Sequence, residues 1–320
     1  MATTPVLQSF LIQMGMAREA TYGTAVSPTT VDQFFTVVNP KFQDIVDPIF
    51  DDGYRGLASK DFALNQGFRY ARYTFETQLL PQNAGTLFQA LQGGVDAVTG
   101  AGPYVHPIPQ LNTGLPPSYS IWHYDATLAT SRQILGAYLE SLNLKYSSTG
   151  ALKCTASFVG KYFSTGTKPT AVYEAAQPFT PWQNTATVNA SALVGARLID
   201  FDFTAQRPWE GIWGAGGTQD LTAANVGPIE ASGSLVFASI DNTDIDLYHN
   251  NTQAQLKVVF TQSASAILQI NMNTAAFENG TVIEHSAPYL KVSAKYRALY
   301  NSVDGGTLKP TLTNNKVAAY

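Results

Sequence analysis

The stretch that decides the fold is GFRYARYTFETQLLPQNAGTLFQAL, which spans residues 67–91. Its first part places apolar side chains on alternate positions at Tyr73, Phe75 and Leu79, and mostly polar residues lie between them. A period of two is what a strand with one buried face requires. We therefore predict a half-buried strand here.

A short amphipathic helix is predicted directly after this strand. Pro81 ends the strand, and Asn83 is a residue type that caps helices. Leu87, Phe88 and Leu91 then share one helical face.

The same pattern returns later in the chain, beginning at Gly227. Leu235 takes the place of Phe75 in the strand, and Leu247 takes the place of Leu87 in the helix. The second strand, like the first, keeps its apolar residues on one parity. The sequence therefore contains two candidate strand–helix units.

The strands that would close each unit also match. Residues 290–296 (LKVSAKY) follow residues 152–158 (LKCTASF) position by position. Two alternating strands match by chance often, because period two is common in β-structure. Since strand, helix and closing strand recur in the same order, we interpret the match as an internal duplication. We predict an N-terminal arm with a first domain over residues 1–165, a linker over 166–184 and a second domain over 185–320.

Composition favours a mainly β protein with a weakly charged surface. Hydrophobic residues make up 45% of the 320 residues and charged residues only 13%, about half the usual charged share. With 19 basic and 23 acidic residues the formal net charge is −4, and no basic cluster suited to gripping nucleic acid is visible.

Cysteine content and hydropathy narrow the class further. Cys154 is the single cysteine, so neither an intrachain disulfide nor a cysteine-rich metal site is possible. We expect no membrane span, because no apolar run approaches about 20 residues. We also expect no secretory signal, because the N-terminus lacks a charged region followed by a long apolar core, and we therefore expect folding in a cytoplasm.

Motifs for catalysis or cofactors are weak, and we predict neither an enzyme nor a cofactor. The histidines are far apart in sequence and match no metal or triad motif. His123 and Asp125 leave a hydrogen-bonded His–Asp pair open, but a strand-end His beside a turn Asp is the interpretation we favour. The glycine run at 214–217 lacks the Lys-Ser/Thr of a phosphate loop.

Long loops and sheet edges are the other feature of the sequence. We predict long loops over residues 47–64 and 206–226. Loops of about 20 residues are uncommon in compact monomers, and exposed sheet edges need a cover or a partner. A ring in which sheets join edge to edge, and loops reach neighbouring rings, would use both.

The N-terminal patch Arg18-Glu-Ala-Thr-Tyr-Gly-Thr24 resembles the opening of tail tube proteins of long-tailed, non-contractile (siphovirus-type) bacteriophages. Residues 52–56 (DGYRG) and 80–91 (LPQNAGTLFQAL) continue the resemblance. Ala20 departs from the Thr or Ser usual in that family. The motifs that are specific to the family lie within residues 15–91. The rest of the chain agrees with the family only in its general sequence pattern and its length.

The resemblance implies a β-sandwich or half-barrel with a flanking helix, assembled into stacked rings in the virion tail. The rings would line a channel for DNA ejection, with DNA as transient cargo only. It also implies a tape measure protein, a tail terminator and a distal tail protein as partners. If single-domain relatives form hexameric rings, two tube domains in one chain give the same wall from three chains. We favour this trimer with pseudo-sixfold symmetry over a hexamer with one elaborated domain.

Two sets of candidate residues follow. The predicted contacts between rings are Arg18, Glu19, Tyr22, Asp51, Asp52, Trp209 and Trp213. The predicted lumen-facing residues are Glu140, Asn143, Lys145, Asp200 and Asp202. The alternatives are another virion β-protein, such as a capsid decoration or baseplate subunit, and a carbohydrate-binding β-sandwich whose tryptophans stack on sugars.

Overall fold

The structure is a computed structural model, which describes residues 8–53, 55–56, 58–59, 61–188, 191–193, 198–214, 218–238, 253–284 and 291–320. The chain is mainly β, as the sequence predicted. Strands and helix are numbered in chain order below.

The first half holds nine strands and one helix among its described residues. They are β1 (Ile12–Arg18), β2 (Gln33–Phe35), β3 (Val37–Asp51), β4 (Ala63–Gln78), α1 (Asn83–Gln92), β5 (Tyr104–Pro107), β6 (Tyr119–Asp125), β7 (Thr130–Ser147), β8 (Lys153–Gly160) and β9 (Ser164–Thr167), which closes the set, so that nine of these elements are strands and one is the helix.

The second half holds strands only among its described residues. They are β10 (Asn184–Val188), β11 (Ser191–Leu193), β12 (Leu198–Gln206), β13 (Trp209–Ile212), β14 (Ala223–Val226), β15 (Glu230–Ala238), β16 (Ala254–Ser263), β17 (Ala266–Glu284), β18 (Lys291–Ala298) and β19 (Lys309–Asn314). Short 3-10 turns lie at Ser9–Leu11, Pro28–Thr30 and Pro181–Gln183.

The strands build two antiparallel layers around one core. The front layer has the order β3-β4-β8-β7-β12-β15-β18-β17. Behind it lie β2-β1-β6-β7-β9 and β11-β10-β16-β17-β19-β5. The long strands β7 and β17 belong to both layers. Each has a register shift near the passage between them, at Leu139–Ser141 in β7 and at Met272–Ala275 in β17, as expected where a bulge bends a strand. The architecture is consistent with a sandwich, and the strands that the structure describes form no closed barrel.

The pairing pattern of the first half returns in the second. The pairs β3–β4, β4–β8, β7–β8, β6–β7, β1–β6 and β7–β9 correspond to β12–β15, β15–β18, β17–β18, β16–β17, β10–β16 and β17–β19. The register agrees with the sequence match, since Phe75 lies opposite Ala156 and Leu235 lies opposite Ala294. The predicted second helix around Leu247 lies outside the described residues.

The two halves are joined within the front layer. β7 of the first half pairs with β12 of the second over the whole of β12 from Asp200 onward. One hydrophobic cluster contains side chains from both halves, such as Phe75 and Phe158 with Phe201 and Tyr296. The predicted domain boundaries at 165 and 185 stay a prediction.

The predicted strand–helix unit is confirmed in type, but its helix is more deeply buried than an amphipathic pattern indicates. β4 alternates buried Tyr73 and Phe75 with half-buried neighbours, and Gly93 ends the helix in the left-handed region, at φ 75°. All ten helical residues are buried. The polar helix face is covered too, because Tyr320 packs its ring over Gly85, where an added Cβ would lie 2.1 Å from the ring.

The cap of α1 differs from the expected one. Asn83 is the first helical residue rather than the cap, and its side-chain oxygen accepts a hydrogen bond from the Leu80 N–H at 2.8 Å. The Glu174 carboxylate instead accepts the free N–H groups of Gln82 and Asn83, at 3.0 and 3.2 Å. Burial raises the pKa of Glu174, while these two hydrogen bonds lower it. This residue lies in the predicted linker, so part of that linker is tied to the helix.

Several predicted loops are partly paired strands. The loop expected over 47–64 is shortened, because β3 continues to Asp51 and β4 begins at Ala63. Pro48 is tolerated there because it lies at a register shift of β3, whose one strand partner among the described residues is β4. Similarly, the loop expected over 206–226 contains the hairpin β13–β14, and the predicted linker begins inside β9.

His123 is held in an aromatic cluster and does not pair with Asp125. Its Nδ1 lies 3.1 Å from the Tyr73 hydroxyl, and its ring packs against Phe42. Asp125 accepts hydrogen bonds from the Thr127 N–H and hydroxyl instead. Burial, and then the positive charge of Arg132, lower the pKa of His123 to about 4.

This lowered pKa predicts a loss of stability in mild acid. Between an unfolded pKa of about 6.5 and the folded value of about 4, the unfolded chain binds a proton that the folded chain does not. Stability is therefore complete above about pH 6.5 and falls by about 2–3 kcal/mol as the pH drops to about 4. Urea unfolding of His123→Gln should show a correspondingly smaller loss over this range. An unchanged pH dependence in that variant would contradict the assignment.

Candidate assembly surfaces

The outward side of the front layer is polar along its whole width, and we call it the polar face. Side chains of a strand point alternately to its two sides. In the front layer one set of alternate side chains is buried in the core, so the other set forms the polar face. It is formed by Lys41, Gln43, Arg72, Thr74, Glu76, Glu140, Ser141, Asn143, Lys145, Lys153, Thr155, Ser157, Asp200, Asp202, Thr204, Ser232, Ser234, Lys295 and Arg297.

All the predicted lumen residues lie on this face. Asn143 and Lys145 project from β7, directly opposite Thr204 and Asp202 of β12. The Asn143 amide donates to the Asp202 carboxylate at 3.1 Å and to the Thr204 hydroxyl at 2.7 Å. Glu140 lies at the β7 register shift, and Asp200 lies at the exposed end of β12. Their role in a lumen stays a prediction.

Some of the charges on the polar face are paired with each other. Arg72 pairs with Glu140 at 2.8 Å, and Lys153 pairs with Glu76 at 3.2 Å. Each pair is partly exposed, so each contributes at most about 1 kcal/mol to stability. Each pair also reduces the net charge, and so the electrostatic field, at its place on this face.

A second surface is the far part of the β3–β4 pair, residues 45–51 and 63–68, which we call the ribbon. β3 and β4 pair with each other here down to Asp51 and Ala63. The ribbon exposes large apolar side chains, namely Ile49 (56%), Phe50 (54%), Leu64 (61%) and Phe68 (50%). Phe50 and Leu64 are directly opposite. Such a row of exposed apolar groups indicates an interaction surface.

Of the residues predicted to contact other rings, Asp51 and Asp52 lie at the tip of the ribbon. Asp51 forms an ion pair with Arg55, and Asp52 is exposed. The apolar ribbon residues were missing from the sequence prediction. The available signal was the presence of the large apolar residues Ile49, Phe50 and Leu64 in two short segments that could pair as strands. The interpretation of residues 47–64 as a loop concealed this signal.

The N-terminal patch has an internal role. Glu19 is buried and accepts four hydrogen bonds, from the N–H groups of Gly23 and Gly136 and from the hydroxyls of Ser118 and Ser120, at 2.7–2.9 Å. Its carboxylate thus fixes the turn that follows β1. Contact of Glu19 with another ring stays a prediction, and its four hydrogen bonds described here are all made within the chain.

The neighbours of Glu19 also pack within the chain. Tyr22 stacks on Tyr138 with ring centroids 5.6 Å apart. Burial, followed by the charges of Tyr138 and Glu19, raises the pKa of Tyr22. Arg18 is exposed at the end of β1 and donates to the Tyr320 carbonyl at 3.4 Å.

Trp209 and Trp213 belong to the hairpin β13–β14, which folds over the base of the ribbon. Trp213 stacks on Phe68 at 5.1 Å, and Trp209 packs on Tyr70 at 5.4 Å. A bidentate ion pair between Arg69 and Asp220 adds to this contact. Because the indole faces are already packed against other rings, these residues offer no open platform for a sugar.

The interior holds one buried ionisable pair that the sequence analysis missed. His106 Nδ1 lies 2.8 Å from the Asp96 carboxylate, and both side chains are fully buried. His106 Nε2 contacts the Lys316 carbonyl at 2.9 Å, and Asp96 accepts the Tyr320 N–H at 3.1 Å. The pair therefore ties residues 314–320 to the first half.

Other features constrain the chemistry. Cys154 is buried, and burial raises the pKa of its thiol, so it is poorly suited to be a nucleophile. Within the ranges that the structure describes, no group of His, Cys, Asp and Glu side chains is arranged to hold a metal ion. Among the same residues, no helix has the length and apolarity needed to span a bilayer.

The sequence of the chain matches a known family. A family model described as phage tail tube protein matches residues 9–298, which is most of the chain. The chain belongs to the phage tail tube protein family. No curated protein matches it.

Family membership confirms the resemblance seen in the N-terminal half. A tail tube protein is a structural protein of the phage virion tail, and the family implies that its copies associate into a tube. The siphovirus-type tail stays a prediction.

The Glu19 network predicts a large effect of a small substitution. Glu19→Gln places an amide group among four donors, so at least one buried donor loses its acceptor. We expect a loss of about 2–4 kcal/mol in the free energy of unfolding, measured by urea denaturation. The matched control Asp52→Asn lies at an exposed site and should change stability by less than about 0.5 kcal/mol. Equal stability of the two variants would contradict the structural role of Glu19.

Proposed function

We propose that this tail tube protein forms rings of three chains, which stack into the tube through which DNA is ejected. Each chain supplies two tube units, corresponding to the predicted domains 1–165 and 185–320. The observation that carries the proposal is the repeated pairing pattern of the front layer, β3-β4-β8-β7 followed by β12-β15-β18-β17.

Two strand edges at the ends of this layer support ring closure. Within the part of the chain that the structure describes, β3 has β4 as its one strand partner. Among the described residues, the pairing of β17 with β16 ends at Ala275, and from Ala276 onward the strand partner of β17 is β18. Unpaired edges of this kind need a partner. Joining β17 of one chain to β3 of the next repeats the geometry of β7 with β12 and closes the front layers into a barrel.

The polar face is the side that would line the channel. The opposite side of the front layer packs into the core, so only the polar face is available for the lumen. Its balanced ion pairs suit a wall past which DNA slides, because a basic strip would hold the phosphates. We propose Glu140, Asn143, Lys145, Asp200 and Asp202 as lumen residues on this ground.

The ribbon is our candidate for contact between stacked rings. It carries exposed Phe50 and Leu64 at the end of a strand pair, next to the predicted contact residues Asp51 and Asp52. Burial of these side chains against the next ring would provide roughly 1.5–3 kcal/mol for each large apolar group.

The remaining partners follow from this assembly. A tube of stacked rings would enclose a tape measure protein before ejection, and would end at a tail terminator and a distal tail protein. We propose no catalytic activity and no cofactor. The alternative is a capsid decoration or baseplate subunit, and the measurement of ring mass and symmetry described next distinguishes it from a tube protein.

The stoichiometry is tested by native mass spectrometry of rings, combined with the rotational symmetry of tube images. We expect a mass of three chains and threefold symmetry with a pseudo-sixfold wall. A ring of six chains with true sixfold symmetry would refute the trimer. Small closed oligomers without tubes would favour the decoration or baseplate alternative.

The ribbon is tested by Phe50→Gln with Leu64→Gln. Because both side chains lie outside the core, we expect folded chains that form rings but do not stack, with tube length in electron micrographs reduced at least about tenfold. Asn65→Gln, at an exposed position of the same strand, is the matched control and should give tubes of normal length. Normal tubes from the double variant would contradict the role of the ribbon.

A further inference from the structure

The junction between the two halves pairs a basic residue of β7 with an acidic residue of β12. The equivalent positions in the repeat hold an acidic and a basic residue, so the two charges are exchanged. At this junction Lys145 of β7 lies directly opposite Asp202 of β12. Both residues are on the polar face, and Asp202 also accepts a hydrogen bond from Asn143. Opposite charges at facing positions of antiparallel strands favour that pairing and register.

The repeat identifies the counterpart of each residue through strand register. Lys145 lies opposite Lys153 in the pair β7–β8, and Glu284 lies opposite Lys291 in the pair β17–β18. Lys153 and Lys291 are the same position of the sequence repeat. Glu284 therefore occupies in β17 the position that Lys145 occupies in β7.

The same procedure gives the counterpart of Asp202. Asp202 lies opposite Ser234 in the pair β12–β15, and Lys41 lies opposite Thr74 in the pair β3–β4. Thr74 and Ser234 are equivalent by the same offset that relates Phe75 to Leu235. Lys41 therefore occupies in β3 the position that Asp202 occupies in β12.

We propose that β17 of one chain pairs with β3 of a second copy in the register that sets Glu284 opposite Lys41. This contact rests on the proposed ring and deepens it, because it names the partner edge and its register. It reproduces the Lys145–Asp202 arrangement with the two charges exchanged between the strands. Lys41 is exposed, and no described group of its own chain is seen to pair with it.

The exchange of charges disfavours the two exchanged junctions. If β7 met β3 of another chain, Lys145 would face Lys41. If β17 met β12 of another chain, Glu284 would face Asp202. Like charges at facing positions are destabilising, so each edge is complementary to one of the two candidate strands. The charges thus favour chains joined end to end over exchanged pairings in which two first halves meet.

The proposal is tested by exchanging the charges. We expect Lys41→Glu and Glu284→Lys each to raise the concentration needed for half-maximal ring assembly at least about fivefold, measured by sedimentation. The double variant should return to within about twofold of the natural chain. Lys295→Glu makes the same change in net charge as Lys41→Glu, but on β18 and away from both edges, and should assemble normally. Thermal unfolding of the unassembled chains confirms that each variant is folded.

A second pair of variants fixes the register independently of charge. Lys41→Cys with Glu284→Cys, oxidised with diamide, should give crosslinked chains up to a closed species, whereas Gln43→Cys with Glu284→Cys should not. Cys154 is buried and does not compete. Normal assembly of both charge variants, or equal crosslinking at 41 and 43, would overturn the proposed register. A natural ring of three chains would leave the proposed function intact in that case, and a ring of six would refute the trimer.

Discussion

The pairing of β7 with β12 is the contact on which the rest of the structure depends. It runs from Ser141 to Ser147 on one strand and from Asp200 to Gln206 on the other, and it makes two similar halves into one continuous front layer. Backbone hydrogen bonds of such a ladder have no side-chain requirement, so the pairing tolerates divergence between the halves. The side chains at the ladder then need only supply register, and the bonds from Asn143 to Asp202 and Thr204 contribute to this.

Packing within the core follows from that junction. Because the layer is continuous, residues of both halves contact α1. Arg207 of the second half donates a hydrogen bond to the Leu91 carbonyl near the end of the helix, at 2.9 Å. Glu174 binds the other end of the helix. A charge thus complements each pole of the helix dipole, a basic group at the C-terminus and an acidic group at the N-terminus. Both groups lie outside the strand–helix unit itself.

Local periodicity allowed much of the fold to be predicted. The alternation around Tyr73 and Phe75 depends on neighbours along the chain. The strands that match each other in sequence also pair with their closing strands in equivalent register. Contacts between distant segments were beyond this reasoning. The Glu19 hydrogen bonds reach residues about a hundred positions away, and β13–β14 is stabilised by packing on Phe68 and Tyr70. Nothing in those segments alone indicates their partners.

The two halves differ in strand length, and this difference would affect how rings stack on one another. β3 and β4 span 15 and 16 residues, whereas their counterparts β12 and β15 span nine each. In the second half, the hairpin β13–β14 folds back on the first half instead of projecting. A ring of three chains would then carry a ribbon on every other unit of its wall. Successive rings could interlock only at rotations that differ by a third of a turn, so the ribbons would set the helical twist of the tube.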